Sequence, residues 1–316
     1  MKAGFLFPGQ GSQKVGMGAD LAREFPAARQ VFEEADEALG FALSRLCFEG
    51  PEEDLRLTAN TQPATLATSI AALRAFESEC GIRPTLAAGH SLGEYSALVA
   101  AGALGLRDAV RAVRERGRLM QAACPAGQGS MAALIGLDLD AVKALCAEAS
   151  GASEIVVPAN LNAPGQIVIS GDAGAVRRAL ELAKTGGAGG SVELKVSAPF
   201  HCPLMAPARA GMAPVLARLE VRPLAFGVIA NVTAEVNREA NRVVPLLLEQ
   251  ITGSVRWEES MRVLGAAGIT ETVEFGAGRV LAGLMRRIDR NIKVRAAEDA
   301  ASLRATVAAL AVANHN

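Results

Sequence analysis

Residues Leu86-Ala-Ala-Gly89-His-Ser91-Leu-Gly93 join a short apolar run to a helical pattern that continues from Gly93 to Ala103. A short apolar run of this kind reads as a buried strand. Strand, Gly-x-Ser-x-Gly turn and helix, in that order, form the context of a nucleophile elbow, where a tight turn exposes the serine hydroxyl. Glycine at both flanks keeps Cβ atoms out of a crowded backbone. The N–H groups that open the following helix face developing negative charge. The plain alternative is a small-residue turn between a strand and a helix.

Working outward, Ala3 to Phe7 is a second apolar strand, closed by the glycine-rich Phe7-Pro-Gly-Gln10-Gly-Ser-Gln13. Helical patterns cover Asp20 to Leu39, Ala64 to Glu79 and Arg107 to Ala123. Strands alternating with helices predict an α/β fold with a mostly parallel sheet covered on both faces. The style changes after Pro125. Strands at Met131 to Leu137, Ile155 to Leu161, Ile167 to Ser170 and Val192 to Val196 enclose helices at Asp140 to Ala149 and Ala173 to Lys184. That β-α-β-β-α-β order is the ferredoxin-like arrangement. Thr185-Gly-Gly-Ala-Gly-Gly190 reads as a flexible link, since no P-loop Lys-Ser/Thr follows it. From Pro199 the first style resumes. Strands are expected at Phe226 to Ala230, Thr272 to Phe275 and Ile292 to Val294. Helices are expected at Val244 to Ile251, Glu258 to Leu264, Arg279 to Ile288 and Ser302 to Val312. The small lobe, residues 127–197, is therefore an insertion between two parts of one α/β domain, 1–126 and 198–316.

The chain has 316 residues and a formal net charge of −1. No basic excess favours nucleic acid, and one Trp and one Tyr give no base-stacking surface. Cys47, Cys80, Cys124, Cys146 and Cys202 are odd in number and lack C-x-x-C spacing. Free thiols in a reducing compartment fit better than disulfides or a zinc site. The N-terminus reaches Pro8-Gly9 too early for a signal peptide. No apolar run approaches the roughly 20 residues of a membrane helix. A cytoplasmic protein that binds neither nucleic acid nor membrane, and holds no metal, is expected.

Ser91 needs a base, because a free hydroxyl is a weak nucleophile at neutral pH. The histidines are His90, His201 and His315. His90 adjoins the serine, so its side chain should leave the turn in another direction. His315 is penultimate, where chains are commonly disordered. His201 remains, at the point where the chain re-enters the large domain. Taken alone it is equally a satisfied core histidine. An oxyanion hole requires two donors. The N–H of Leu92 is one candidate, and the loop containing Gln10 offers the second or is an ordinary turn. Within the helix from Arg107 to Ala123, Arg107, Arg111, Arg114 and Arg118 share a stripe that reads as a solvated face. Arg116 lies opposite, among Ala109, Ala112, Val113, Leu119, Met120 and Ala123. A guanidinium on an apolar face requires an anionic partner. That partner is either a buried Asp or Glu of the chain or a substrate carboxylate gripped by the arginine fork.

Six motifs in chain order resemble the malonyl-CoA:acyl carrier protein transacylases of fatty acid synthesis. They are Phe7 to Gln13, Gly89 to Ala97, Arg116-Gly-Arg-Leu-Met-Gln121, Asn160-Leu-Asn-Ala-Pro-Gly-Gln166, Pro199-Phe-His-Cys202 and Glu274-Phe-Gly-Ala-Gly278. The resemblance implies a Ser91–His201 dyad whose histidine is oriented by the main-chain carbonyl of Gln250. It implies oxyanion N–H groups from Gln10 and Leu92, and an Arg116 clamp on the malonyl carboxylate. It implies a hydrolase-like large subdomain with a ferredoxin-like insertion. It also implies a ping-pong reaction without cofactor, with malonyl-CoA and a phosphopantetheinylated acyl carrier protein as partners of a monomeric enzyme. Phe200 departs from many stand-alone members, which have a smaller residue before the histidine. Aromatic residues there occur in malonyl-selective polyketide modules. Leu92 is malonyl-like, where methylmalonyl-selective modules tend to carry Gln. Arg279, Arg286 and Arg290 share a helix face suited to an acidic carrier protein, or are a solvated face.

Overall fold

The computed structural model describes residues 2–125, 127–194, 196 and 198–315. The expected boundaries at 126/127 and 197/198 and part of the strand expected at Val192 to Val196 fall on Ala126, Lys195 and Ser197, which lie outside the described residues. The side chain of His315 does too, although a helix runs from Ala300 to His315.

Among the described residues ten strands form two sheets. They are β1 Ala3–Phe7, β2 Leu86–Gly89, β3 Gly129–Ile135, β4 Val156–Ala163, β5 Gln166–Asp172, β6 Gly190–Glu193, β7 Gly227–Ile229, β8 Val236–Asn237, β9 Glu271–Phe275 and β10 Lys293–Ala297. The large sheet has the order β10-β9-β1-β2-β7-β8. All its pairings are parallel except the short β7–β8 edge. The small sheet is antiparallel in the order β4-β5-β3-β6. Its strands and the helices Leu139–Ala149 and Ala173–Thr185 follow one another as β-α-β-β-α-β. The protein is thus mixed α/β, with a mostly parallel sheet and a separate antiparallel one.

β1 and β9 are buried along their whole length, as strands covered on both faces must be. Phe5 and Phe275 pack edge to face at 4.8 Å, and Phe76 closes on both. Phe76 belongs to the helix Thr58–Glu79, which is buried on nearly every side. The small lobe has its own core, including Leu134, Val142, Val156, Ile169 and Val176. Backbone hydrogen bonds from Val255 to Ala159 (2.8 Å) and from Leu161 to Val255 (2.9 Å) tie it to the large domain.

The register of the large sheet sets the site. Phe7 pairs with Gly89, so β1 and β2 end level. The loops that follow emerge side by side at the carboxyl edge, the usual ligand position in open α/β sheets. At this crossing the glycines are sterically required. A Cβ on Gly89 would stand 1.9 Å from the Gly93 carbonyl carbon, and one on Gly93 would stand 2.1 Å from the Phe7 oxygen.

Several expectations are corrected. The segment from Asp20 to Leu39 is two helices, Ala19–Glu24 and Pro26–Leu39. Pro26 opens the second and holds Phe25 extended, with φ −121°. Helices Leu43–Glu49, Glu52–Arg56 and Ala206–Leu216 were not read at all, and two of the three are one or two turns long. The helix expected from Ala64 starts at Thr58. Pro63 lies inside it, since proline is tolerated within a helix at the loss of one hydrogen bond when tertiary packing compensates. The Arg107 stripe is not simply solvated. Arg107 pairs with Glu37, Arg111 donates to the Ala38 carbonyl (2.7 Å), and Arg114 lies 4.3 Å over the Phe41 ring.

The helices Thr58–Glu79 and Leu106–Ala122 meet at Gly117, where a Cβ would stand 2.5 Å from the Thr58 oxygen. Gly117→Ala is expected to force them apart and cost about 1–3 kcal/mol of stability, read as a lowered thermal unfolding midpoint. An unchanged midpoint would show that this contact relaxes freely.

Candidate active site

Ser91 sits at the tip of the turn with φ +52°, in the left-handed region that non-glycine residues seldom occupy. Two amide side chains hold it there. The Ser91 N–H donates to Asn231 Oδ1 at 2.7 Å, and Gln250 Nε2 donates to the Ser91 carbonyl at 2.9 Å. Asn231 Nδ2 also donates to the Gly89 carbonyl (2.7 Å), so one side chain spans the turn.

His201 is buried and also left-handed, with φ +59°. Its Nε2 lies 2.7 Å from Ser91 Oγ, and its Nδ1 lies 2.8 Å from the Gln250 main-chain oxygen. A carbonyl only accepts, so Nδ1 carries the proton and Nε2 offers a lone pair to the serine hydroxyl. Gln250 lies in the last turn of the helix Ala240–Thr252. Carbonyls there have no partner within their own helix, which leaves this one for the histidine. Burial, followed by the Arg116 charge, pushes the His201 pKa down to about 3. The ring is therefore neutral and able to take a proton throughout the neutral range.

His90 turns away from the serine, as its position in the turn predicts. Its Nε2 is 2.8 Å from Asn162 Oδ1 on β4, and its ring lies 5.4 Å from that of Trp257. This links the elbow to the small lobe.

Arg116 is 1% exposed, and its neighbours decide the question its sequence position raised. Nη1 donates to Gln62 Oε1 at 2.8 Å. Nη2 donates to Gln250 Oε1 at 2.9 Å and to Ser91 Oγ at 3.1 Å. Among the described residues none of its hydrogen-bond partners is a carboxylate, and Nε has no hydrogen-bond partner. A buried Asp or Glu bonded directly to Arg116 is thus ruled out among them. The cation rests on neutral acceptors beside the nucleophile.

Gln10 and Leu92 line the same cavity of about 850 Å³ as Ser91, His201 and Arg116. Among the described residues the backbone N–H of neither takes part in a hydrogen bond. Gln10 Nε2 donates to Thr58 Oγ1 at 3.2 Å, which fixes its loop against the central helix. Phe200, Met120 and Met131 supply apolar wall from both lobes. Five of the six site residues read from the sequence therefore border one space, and the sixth, Gln250, lies buried behind them against His201 and Arg116. Sequence reasoning missed Gln62, Glu94 and Asn231, and the side-chain role of Gln250. Asn231 had a usable signal, a polar residue two places beyond an apolar strand at the sheet's carboxyl edge. Gln62 fell in the segment before Pro63 that was not read as helix.

An elbow serine, a neutral histidine in contact with it, free backbone N–H groups and a buried cation define a class of α/β enzyme that carries acyl groups on serine. The chain belongs to the acyl transferase domain family, which matches residues 4–273. A malonyl CoA-acyl carrier protein transacylase of Bacillus subtilis is 48% identical over 315 residues, covering 100% of this chain and 99% of that one. The acyl-carrier-protein S-malonyltransferase of Bartonella henselae superposes with a TM-score of 0.95 at 46% identity, covering 98% of this chain and 100% of that one. A malonyl-transacylase solved in complex with a type II polyketide acyl carrier protein gives 0.95 at 43% identity, covering 98% and 100%.

The depressed His201 pKa yields a pH prediction for the free enzyme. A histidine of ordinary pKa would be almost wholly protonated at pH 5, slowing a base-dependent step about 30-fold. With its pKa lowered to about 3, His201 keeps the basic form at every pH above that value. Labelling of Ser91 by an uncharged phosphonylating reagent should change by less than about threefold between pH 7.5 and 5. A fall near 30-fold would mean that the ring titrates normally.

Proposed function

We propose that the chain transfers the malonyl group of malonyl-CoA to the phosphopantetheine thiol of an acyl carrier protein, supplying extender units for fatty acid biosynthesis. The observation that carries this reading is Arg116 Nη2, 3.1 Å from Ser91 Oγ and hydrogen-bonded to no carboxylate among the described residues. A buried cation so placed suits an acyl group that ends in its own carboxylate. The names of the relatives support the same substrate and acceptor.

The reaction runs as two acyl transfers. Ser91 Oγ attacks the thioester carbonyl of malonyl-CoA and gives its proton to His201 Nε2. The tetrahedral oxyanion rests against the N–H groups of Gln10 and Leu92, while Arg116 grips the distal carboxylate through its fork. The C–S bond breaks, and the departing CoA sulfur takes the proton from His201. The carrier thiol then gives its proton to His201, attacks the malonyl-serine ester, and Ser91 regains a proton as it leaves. The main-chain carbonyl of Gln250 keeps the histidine in the required tautomer. Each step uses groups of this chain and its substrates, with no metal or bound cofactor.

The same reading takes the large sheet as a hydrolase-like domain in two parts, 1–126 and 198–316, with a ferredoxin-like insertion at 127–197. The small sheet's strand order supports the insertion. A monomer working in the cytoplasm fits this role, and among the described residues no helix is long and apolar enough to cross a membrane.

Intact-protein mass spectrometry after mixing with malonyl-CoA tests the proposal. The expected result is a malonyl adduct that is absent from Ser91→Ala and passes to added carrier protein. An adduct that only decays to malonate would make the protein a hydrolase, and no adduct at all would overturn the catalytic reading.

An acidic carrier protein needs a basic landing site near the cavity. The helix Val280–Ile288 places Leu281 and Leu284 in the cavity wall and leaves Arg286 and Arg287 exposed. It ends before Arg290, so that residue extends the patch from the following turn. Replacing Arg286 and Arg290 by Glu should raise the KM for carrier protein severalfold and leave malonyl loading of Ser91 unchanged. An unchanged KM would remove this patch.

A further inference from the structure

Glu94 lies one turn beyond the nucleophile and is 3% exposed. The steps above do not use it. Its Oε2 accepts from Gln250 Nε2 at 2.7 Å and from the Asn231 backbone N–H at 3.1 Å. Two chains of contact start at this atom. One runs through the Gln250 amide to Arg116, and the other through Asn231 to the Ser91 N–H.

The direction of the first chain is fixed by chemistry. Arg116 only donates, so the amide oxygen of Gln250 must face it. The Ser91 carbonyl only accepts, so the amide nitrogen must face the elbow. The second N–H of that nitrogen then needs an acceptor in a buried place, and an unmet buried donor is costly. Glu94 Oε2 is that acceptor. Removing it would relieve the amide of one of three restraints and permit rotations that aim N–H groups at the guanidinium.

We infer that Glu94 is a positioning residue, which holds the Gln250 amide so that its oxygen steadies Arg116 beside the nucleophile. The interposed amide also keeps the Glu94 carboxylate itself off the guanidinium. Direct pairing would occupy the fork that the malonyl carboxylate is to use. This inference rests on the reading of Arg116 as the carboxylate clamp. Burial pushes the Glu94 carboxyl up to about 7, against the hydrogen bonds from Gln250 and Asn231 and then the Arg116 charge. Both hydrogen bonds end on Oε2, so a proton on Oε1 leaves the arrangement intact, and an acceptor oxygen is what the position needs.

The test is the ratio of malonyl to acetyl transfer, each as kcat/KM, in the full-length enzyme with carrier protein. Glu94→Met removes the acceptor at similar length and should lower the ratio about tenfold or more, the scale of one hydrogen bond to a charged group. Glu94→Gln can present a carbonyl oxygen to the same two N–H groups and should keep the ratio within about threefold. Should Glu94→Met not fold, Glu94→Asp, which withdraws the acceptor by one methylene, is expected to lower the ratio as well. A merely structural role would lower both activities together and leave the ratio unchanged, overturning the inference. So would an equal loss of ratio in Glu94→Gln and Glu94→Met. Arg116→Ala, measured in parallel, separates the two levels. A ratio that survives Arg116→Ala removes the clamp reading and the inference with it. A ratio that collapses there but survives Glu94→Met removes the inference alone.

Discussion

A cation to which no carboxylate is bonded among the described residues lies beside the reacting groups of this molecule. Arg116 is buried, and the unpaired burial of a charge costs several kcal/mol unless oriented dipoles replace the lost water. Here the dipoles are two glutamine oxygens and the nucleophile's own hydroxyl. Each places a demand on a different part of the chain. Gln62 must be delivered by the first turns of the central helix, which is why that helix begins at Thr58, ahead of its proline. Gly117 must lack a side chain so that those turns can lie against the helix carrying Arg116. Gln250 must stand at the end of a third helix, where its side chain reaches the arginine and its main-chain oxygen reaches His201.

The parallel sheet supplies the remaining constraint. Level ends of β1 and β2 put the Gln10 loop beside the Ser91 turn, and the end of β7 delivers Asn231 across it. The left-handed backbone at Ser91 is held from both sides, at its N–H by Asn231 and at its carbonyl by Gln250. Strained conformations of this sort persist only where surrounding structure over-determines them. The antiparallel lobe closes the cavity from above and is joined to the elbow through Asn162 and His90.

Much of this was legible in the sequence, for identifiable reasons. The elbow could be read because its glycines answer a local steric need, visible as spacing. Arg116 could be read because a charge on an apolar helix face is an anomaly that periodicity exposes. His201 followed from scarcity, since only three histidines were on offer. The alternation of strands and helices that forms the antiparallel sheet was legible from local periods, though its bounds moved: the first strand runs Gly129–Ile135 and the last Gly190–Glu193. Most of what escaped has no local signature. Gln62 and Glu94 are polar residues whose burial is decided by distant segments, and no pattern within a few residues distinguishes them from solvated ones. Asn231 is marked only by its place two residues beyond an apolar strand. The helix Thr58–Glu79 is buried on nearly all sides, so it lacks the amphipathic contrast that marks a helix start. The two helices between residues 43 and 56 are too short to establish a period.

The pairing of His201 with a carbonyl also follows from the buried arginine. Serine enzymes commonly orient their histidine with a carboxylate, which fixes the tautomer and stabilises the imidazolium. In this cavity a carboxylate at His201 Nδ1 would stand on the side of the ring that faces Gln250, the residue whose main-chain oxygen meets Nδ1 and whose amide oxygen meets Arg116. The two charges would attract strongly in a dry site, and the arginine would lose its readiness for an incoming carboxylate. A main-chain carbonyl fixes the same tautomer without a competing charge. Among the described residues the acid that does approach, Glu94, is bonded to the arginine only through the amide of Gln250. On the proposed reading of Arg116, neutral acceptors around both His201 and Arg116 leave the site's positive charge for an anion brought in from outside.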